Sequence, residues 1–208
     1  METRYHIEIL TEALGDTFSP RALEEIIRGN VAQDRLRGQI GHDEYHFDNN
    51  AFEAGYAYIE KNRAEIPAAL ERGNPMDAWA AFGRLTHAAQ DFYAHSNYVT
   101  MWMARFDSPP PPSEIDPMDE SLLRSPALRS GKIYYPLEAF TYLPFLRRFV
   151  LPFLPRDSHA WMNLDSPERG EAFFYAKEAA VKRTRVELTR VFALLSPQMK
   201  MLFLDSPV

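Results

Sequence analysis

The 208-residue chain reads as an all-α protein on three observations. Apolar residues recur at helical spacing, helix-start signatures stand at intervals along the chain, and no window keeps the alternation of a strand. At 46% hydrophobic and 25% charged, the composition is that of one ordinary folded domain, 1–208. Ser19-Pro20 predicts the first helix start, a side-chain oxygen serving free N–H groups and Pro fitting the first turn, with Leu23, Ile26, Ile27 and Val31 following as a stripe. Asn50 opens a second helix carrying Phe52, Tyr56 and Ile59, expected to kink or restart before Pro67. Asn74-Pro75 with Asp77 starts the clearest helix, expected to run to about Arg105. A Pro-rich loop near 108–117 then excludes helix through its consecutive prolines but is too short for an interdomain linker. Ser166-Pro167-Glu168 starts the last helix, whose stripe runs from Phe173 to Leu195.

Composition also narrows function. With no cysteine, disulfides, thiol nucleophiles and thiolate zinc sites are all excluded, so a transition metal here needs imidazole and carboxylate. A formal charge of −6 argues against a broad basic face for nucleic acid. The apolar stretch 134–155 is broken by Pro136, Pro144, Pro152 and by Arg147-Arg148, so no transmembrane segment is expected. The first residues carry Glu8 and Glu12 and no apolar core of a signal peptide, which for a complete chain predicts a cytoplasmic location.

The chemistry concentrates on the helix from Asn74, where His87, Asp91 and His95 stand four apart and share one face. Ala78, Ala81, Leu85, Ala89 and Phe92 fill a neighbouring apolar sector, placing the polar stripe beside the core. A carboxylate there needs compensation, and a divalent cation supplies it. His87 and Asp91 lie about 6 Å apart along the axis and can share an ion, whereas His87 and His95, about 12 Å apart, cannot readily do so. A multinuclear site follows, with Asp91 beside His87 at one centre and His95 at another. Further candidates are Asp34 at the end of Gly29-Asn30-Val31-Ala32-Gln33-Asp34, His46 in Tyr45-His46-Phe47-Asp48, and His159 and Asp165 before the last helix. Each of these, taken alone, also fits a loop or helix-end residue with no ligand role.

These motifs, in this order, resemble the zinc-dependent phospholipase C and single-strand nuclease superfamily, most closely its HET-C-like branch. The resemblance implies an all-α fold holding two or three zinc ions. It implies that His46, His87 and Asp91 ligate one zinc with Asp34 as ligand or general base, and that His6 and Asp91 hold a further ion. His95 and His159 would hold the remaining one, completed by Asp165, because Asn163 stands where the phospholipase pattern has a carboxylate. The implied activity is phosphoester hydrolysis, phospholipase C-like or nuclease-like, by a metal-activated water, with Asp34 as the catalytic residue. The substrate would be a phosphoester, a phospholipid or single-stranded nucleic acid.

Two alternatives stand beside that reading. His42-Asp43 matches the dipeptide of HD-type phosphohydrolases, which leaves the His87/Asp91/His95 stripe unexplained. A non-catalytic, zinc-stabilised interaction or signalling protein of the HET-C-like kind is the other. The segment 142–154, rich in aromatics and Leu, either dips into a membrane surface with its two arginines at phosphate level or forms a buried helix on the core, the reading favoured from sequence.

Overall fold

The computed structural model describes residues 1–39 and 41–205. Its organising element is a helix spanning Pro75–His95 in which nearly every residue from Ala78 onward is buried. Helices Thr3–Leu14 (α1), Pro20–Val31 (α2), Phe52–Glu71 (α3), Pro75–His95 (α4), Tyr98–Met103 (α5), Pro144–Val150 (α6), Ala172–Phe192 (α7) and Pro197–Leu204 (α8) are joined by single helical turns and loops. α2, α3 and α7 pack directly on α4, and α1 bridges α2 and α7. The described residues hold only isolated β-bridges, Ser96 to Ser130 and Lys132 to Ser158, and no strand. The chain is all-α, and one apolar core runs from Met1 to Phe203.

Local chemistry accounts for the helix starts. Ser19 accepts from Ala22 N–H at α2, Asn74 from Asp77 N–H at α4 and Ser196 from Met199 N–H at α8, each followed by Pro in the first turn. α2 and α4 cross where glycines face: an added Cβ on Gly29 would meet Ala80 O at 2.8 Å, and one on Gly83 would meet Asn30 N at 2.6 Å. That close approach brings Asn30 beside the polar stripe of α4.

Several sequence expectations are corrected. The helix from Asn74 ends at His95, not Arg105, because Ser96 turns extended (φ −103°, ψ 167°) and α5 begins at Tyr98. α3 begins at Phe52 rather than Asn50, whose φ of 57° is left-handed, and it runs through Pro67 without restarting. Burial of Ile59, Ile66, Ala69 and Leu70 on both sides of that proline holds the helix together. Ser166-Pro167-Glu168 starts only a 3-10 turn, closed by Gly170 at φ 89°, and α7 follows from Ala172. The Pro-rich loop straps α7: Pro110 O accepts from Tyr175 Oη, and Lys182 Nζ donates to Ser113 O and Ile115 O. The favoured reading of 142–154 as a buried helix is also wrong. α6 carries Phe145 and Phe149 on the surface, and Phe153 follows at 79% exposure.

Between α3 and α7 lies a buried ion cluster. Glu187, with no exposed surface, accepts from Arg63 and Arg183.

Candidate metal centre

α4 delivers His87, Asp91 and His95 to one buried face, and four other segments bring partners to it. α1 contributes His6, the turn after α2 contributes Asp34, the helical turn Asp43–His46 contributes His46, and the turn His159–Met162 contributes His159. Phe47, in the left-handed region at φ 57°, reverses the chain between His46 and Asp48, so the two neighbours reach different parts of the centre.

Two groups result. In the first, one ligand atom each of His6, Asp34, His87 and Asp91 lie within 4.8 Å of one another. His87 Nε2 is 3.1 Å from Asp91 Oδ2 and 3.6 Å from Asp34 Oδ1, and His6 Nε2 is 3.2 Å from Asp91 Oδ1. His46 adjoins this group, its Nδ1 2.8 Å from Asp91 Oδ2 and 3.2 Å from His87 Nε2. The second group is Asp48, His95 and His159. His95 Nδ1 is 3.3 Å from Asp48 Oδ1, and the His95 and His159 Nε2 atoms are 3.5 Å apart. Asp165 Oδ1 stands 3.2 Å from His95 Nε2, beside this group. The Met1 amine lies between the groups, donating to Asp91 Oδ1 at 2.6 Å and standing 3.1 Å from Asp165 Oδ1.

A further layer orients the rings. His6 Nδ1 is 2.6 Å from Gln90 Oε1, which leaves His6 Nε2 facing Asp91. His87 Nδ1 approaches Asn30 Oδ1 at 3.4 Å, turning its Nε2 inward in the same way. Asn30 in turn donates to Thr86 and Gln90, and Gln90 donates to Thr184 on α7. Holding one imidazole nitrogen on an amide oxygen while the other points inward is how ligand histidines are oriented. Residues 129–133 clamp the second group from outside, with Ser130 and Asn50 exchanging bonds and Gly131 N–H donating to His95 O. Glu138, fully buried, accepts from Ala160 N–H and fixes the His159 turn.

The electrostatics are those of charged groups removed from water. Burial alone would raise the Asp91 carboxyl, yet the amine and the histidines around it hold it well below the usual range. Asp48 is likewise lowered against its burial by His159 and His95. Burial pushes His87 down to about 4, while His95, with Asp91 and Asp48 beside it, is raised despite its burial.

The donor set passes a fit test for a tetrahedral ion. Metal–ligand bonds of about 2.0–2.1 Å set ligand atoms roughly 3.3–3.4 Å apart, a spacing bracketed by His87 Nε2 to Asp91 and Asp34 at 3.1 and 3.6 Å and approached by the His95 and His159 Nε2 atoms at 3.5 Å. Two buried atoms, His6 Nε2 in the first group and Asp48 Oδ1 in the second, make no well-aligned hydrogen bond, although Asp91 Oδ1 and His95 Nδ1 stand 3.2 and 3.3 Å from them.

The sequence reading brought together His6, Asp34, His46, His87, Asp91, His95, His159 and Asp165, all of which the structure gathers here. It missed Asp48 as a member, along with Asn30, Gln90 and Glu138 behind it. Asp48 stood within the Tyr45-His46-Phe47-Asp48 motif, but the reversal at Phe47 is not readable from residue types. His42 is elsewhere, 38% exposed at its side chain, with its Nδ1 3.1 Å from Glu44 and its ring stacked on Tyr45.

The fold and site thus define an all-α chain with a buried histidine-carboxylate centre. Residues 5–107 match the family model of the VWA7 N-terminal domain. Among curated proteins, von Willebrand factor A domain-containing protein 7 of Rattus norvegicus is 34% identical over 98 residues, 45% of this chain and 11% of the relative. The Homo sapiens protein of that name is 35% identical over 80 residues, covering 38% of this chain and 9% of its own length. The chain therefore spans about a tenth of the length of the curated relatives it matches. No solved structure matches it.

These similarities overturn the resemblance to the phospholipase C and single-strand nuclease superfamily and its HET-C-like branch. With that resemblance go the phosphoester hydrolase, phospholipase C-like and phosphodiesterase readings and their alternatives, the HD-type phosphohydrolase and the HET-C-like signalling protein. The physical reason is that a His/Asp/His stripe records three polar side chains on one helix face beside a core. Such a stripe is a local property that unrelated helical folds can share. The matched region contains every residue of the first ligand group, whereas His159 and Asp165 lie outside it.

Proposed function

We propose that the chain is a metal-binding helical module, holding one zinc ion in each of its two ligand groups. The observation that carries the reading is the convergence of four donors, from His6, Asp34, His87 and Asp91, at one place and of three, from Asp48, His95 and His159, at another. His6, Asp34, His87 and Asp91 would hold one ion, with His46 at its edge, and Asp48, His95 and His159 the other, with Asp165 beside it. Zinc suits an imidazole and carboxylate set without thiolate, and it would supply positive charge to carboxylates that burial otherwise penalises. Metal analysis of protein purified under zinc-replete conditions is expected to give two equivalents. Asp91→Asn should lose at least one of them, whereas His42→Ala should lose none. A metal-free wild type would refute the proposal.

A small cleft of about 80 Å³ favours a second reading, in which one ion keeps an open position and the chain is a metal-dependent enzyme. The cleft is lined by Asp34, His46, Asp48, His95, His159 and Asp165, so solvent reaches the edge of the centre. Cobalt-substituted protein separates the two. A visible spectrum that shifts when azide is added marks an open position, and an indifferent one marks a closed, structural centre.

A further inference from the structure

Exposed aromatic side chains are concentrated in one segment. Tyr135, Leu137, Phe140, Leu143, Phe145, Phe149 and Phe153 make up half of the large exposed hydrophobics among the described residues, all within residues 135–153. Phe145 is 67% exposed, Phe149 58% and Phe153 79%. Phe145 and Phe149 stand four apart on α6, on one face, and the 3-10 turn Leu151–Phe153 continues from it. The segment is anchored from beneath: Leu154 is buried, Trp161 Nε1 donates to Leu151 O, and Glu138 accepts from Tyr134 and Ala160. The phenylalanines are therefore presented outward by a fixed base.

Charge indicates what covers them. Residues 132–157 carry four cations against two acids, in a chain of net charge −6. One of those acids, Asp157, is paired with Lys132, and the other, Glu138, is buried. Arg148 and Arg156, both exposed, have no carboxylate partner among the described residues, and Arg148 lies over the Phe149 ring at 4.6 Å, whereas Arg147, two residues from each phenylalanine of α6, turns away to line a cleft with His159 and Asp165. A second copy of the chain docking by the same face would set these arginines against their equivalents, which is repulsive in a two-fold contact. Interleaved aromatics and arginines instead match an interface that is apolar below and anionic at its rim.

We infer that this face docks on a lipid bilayer carrying anionic headgroups, with Phe145, Phe149 and Phe153 entering the acyl boundary and Arg148 and Arg156 at headgroup level. No helix among the described residues is long and apolar enough to span a membrane, so the contact is peripheral. The test is flotation of the full chain with phosphatidylcholine vesicles, with and without phosphatidylserine. Wild type should float with the serine-containing vesicles and release as salt rises. F145S/F149S/F153S should lose that binding by at least about tenfold. R148Q/R156Q should weaken it roughly twenty-five-fold, at about fivefold per cation, and blunt the preference for phosphatidylserine. All five positions lie on the surface segment, and far-ultraviolet circular dichroism confirms that the variants fold. Absence of wild-type flotation, or a serine variant that floats like wild type, overturns the inference. So does a wild-type oligomer that the serine variant dissolves, because the face then covers a second copy.

Discussion

Glu187 shows how a single side chain couples the interior to pH. Burial would raise its carboxyl, but Arg183 and Arg63 hold it below the ordinary value of 4.5. Its stabilising contribution is therefore complete above that value and is lost as pH falls through the lowered one. Glu187→Gln leaves the buried Arg183 guanidinium without its anion and Arg63 with Glu60 alone, and is expected to cost about 3–5 kcal/mol at neutral pH. Thermal midpoints measured from pH 7 down to pH 3 should show a lower plateau and a shallower acid slope than wild type. Ligand residues differ in how well they can be read from sequence. His87, Asp91 and His95 announce themselves because helical periodicity converts spacing into a shared face. Asp48 does not, since its position depends on Phe47 adopting a left-handed conformation that only the surrounding packing enforces.

Helix starts are legible for a related reason: Ser19-Pro20 and Asn74-Pro75 act through bonds within one turn. Helix ends and continuations are not, as Ser96 and Pro67 show. α4 stops where Ser96 is drawn to Ser130, and α3 continues through a proline because it is packed along its length. The same limit hid the exposure of α6, whose apolar residues read as core until the fold left them outside. The crossing of α2 and α4 makes a sharper prediction. Gly83→Ala pushes a methyl into the backbone around Ile26 and Asn30 and should cost about 1–3 kcal/mol. Because Asn30 orients His87 and Gln90, zinc content should fall as well. Matched measurements of thermal midpoint and metal stoichiometry check both effects, and Gly73→Ala, with nothing within 4 Å of the added Cβ but a strained φ of 71°, serves as the control for lost stability without lost metal.

For the molecule as a whole, the all-α class and the clustering of the histidines were both within reach of sequence patterns, whereas the similarity to known proteins was not. Periodicity and capping report local geometry, and a few ligand-type residues in a familiar order reproduce across folds. The similarity to the VWA7 N-terminal domain rests instead on residues 5–107 taken together. If metal occupies the centre, removing it should destabilise the entire core, since donors come from α1, α4 and turns both before and after α4. A ligand present at a hundred times its dissociation constant contributes about 2.7 kcal/mol. Chelator should therefore lower the thermal midpoint of wild type by several degrees and that of Asp91→Asn by much less.

The order of the ligands along the chain has a topological consequence. An ion in the first group ties residue 6 to residue 91, and one in the second ties residue 48 to residue 159, so the two closed loops overlap through residues 48–91. Loops of roughly 100 residues each remove about 4–5 kcal/mol of unfolded-chain entropy when closed covalently. A chain without a single cysteine would thus possess overlapping cross-links that respond to metal supply and are indifferent to redox potential. Opening either loop leaves the other closed across the shared segment, so losing one ion removes only its own share of that constraint.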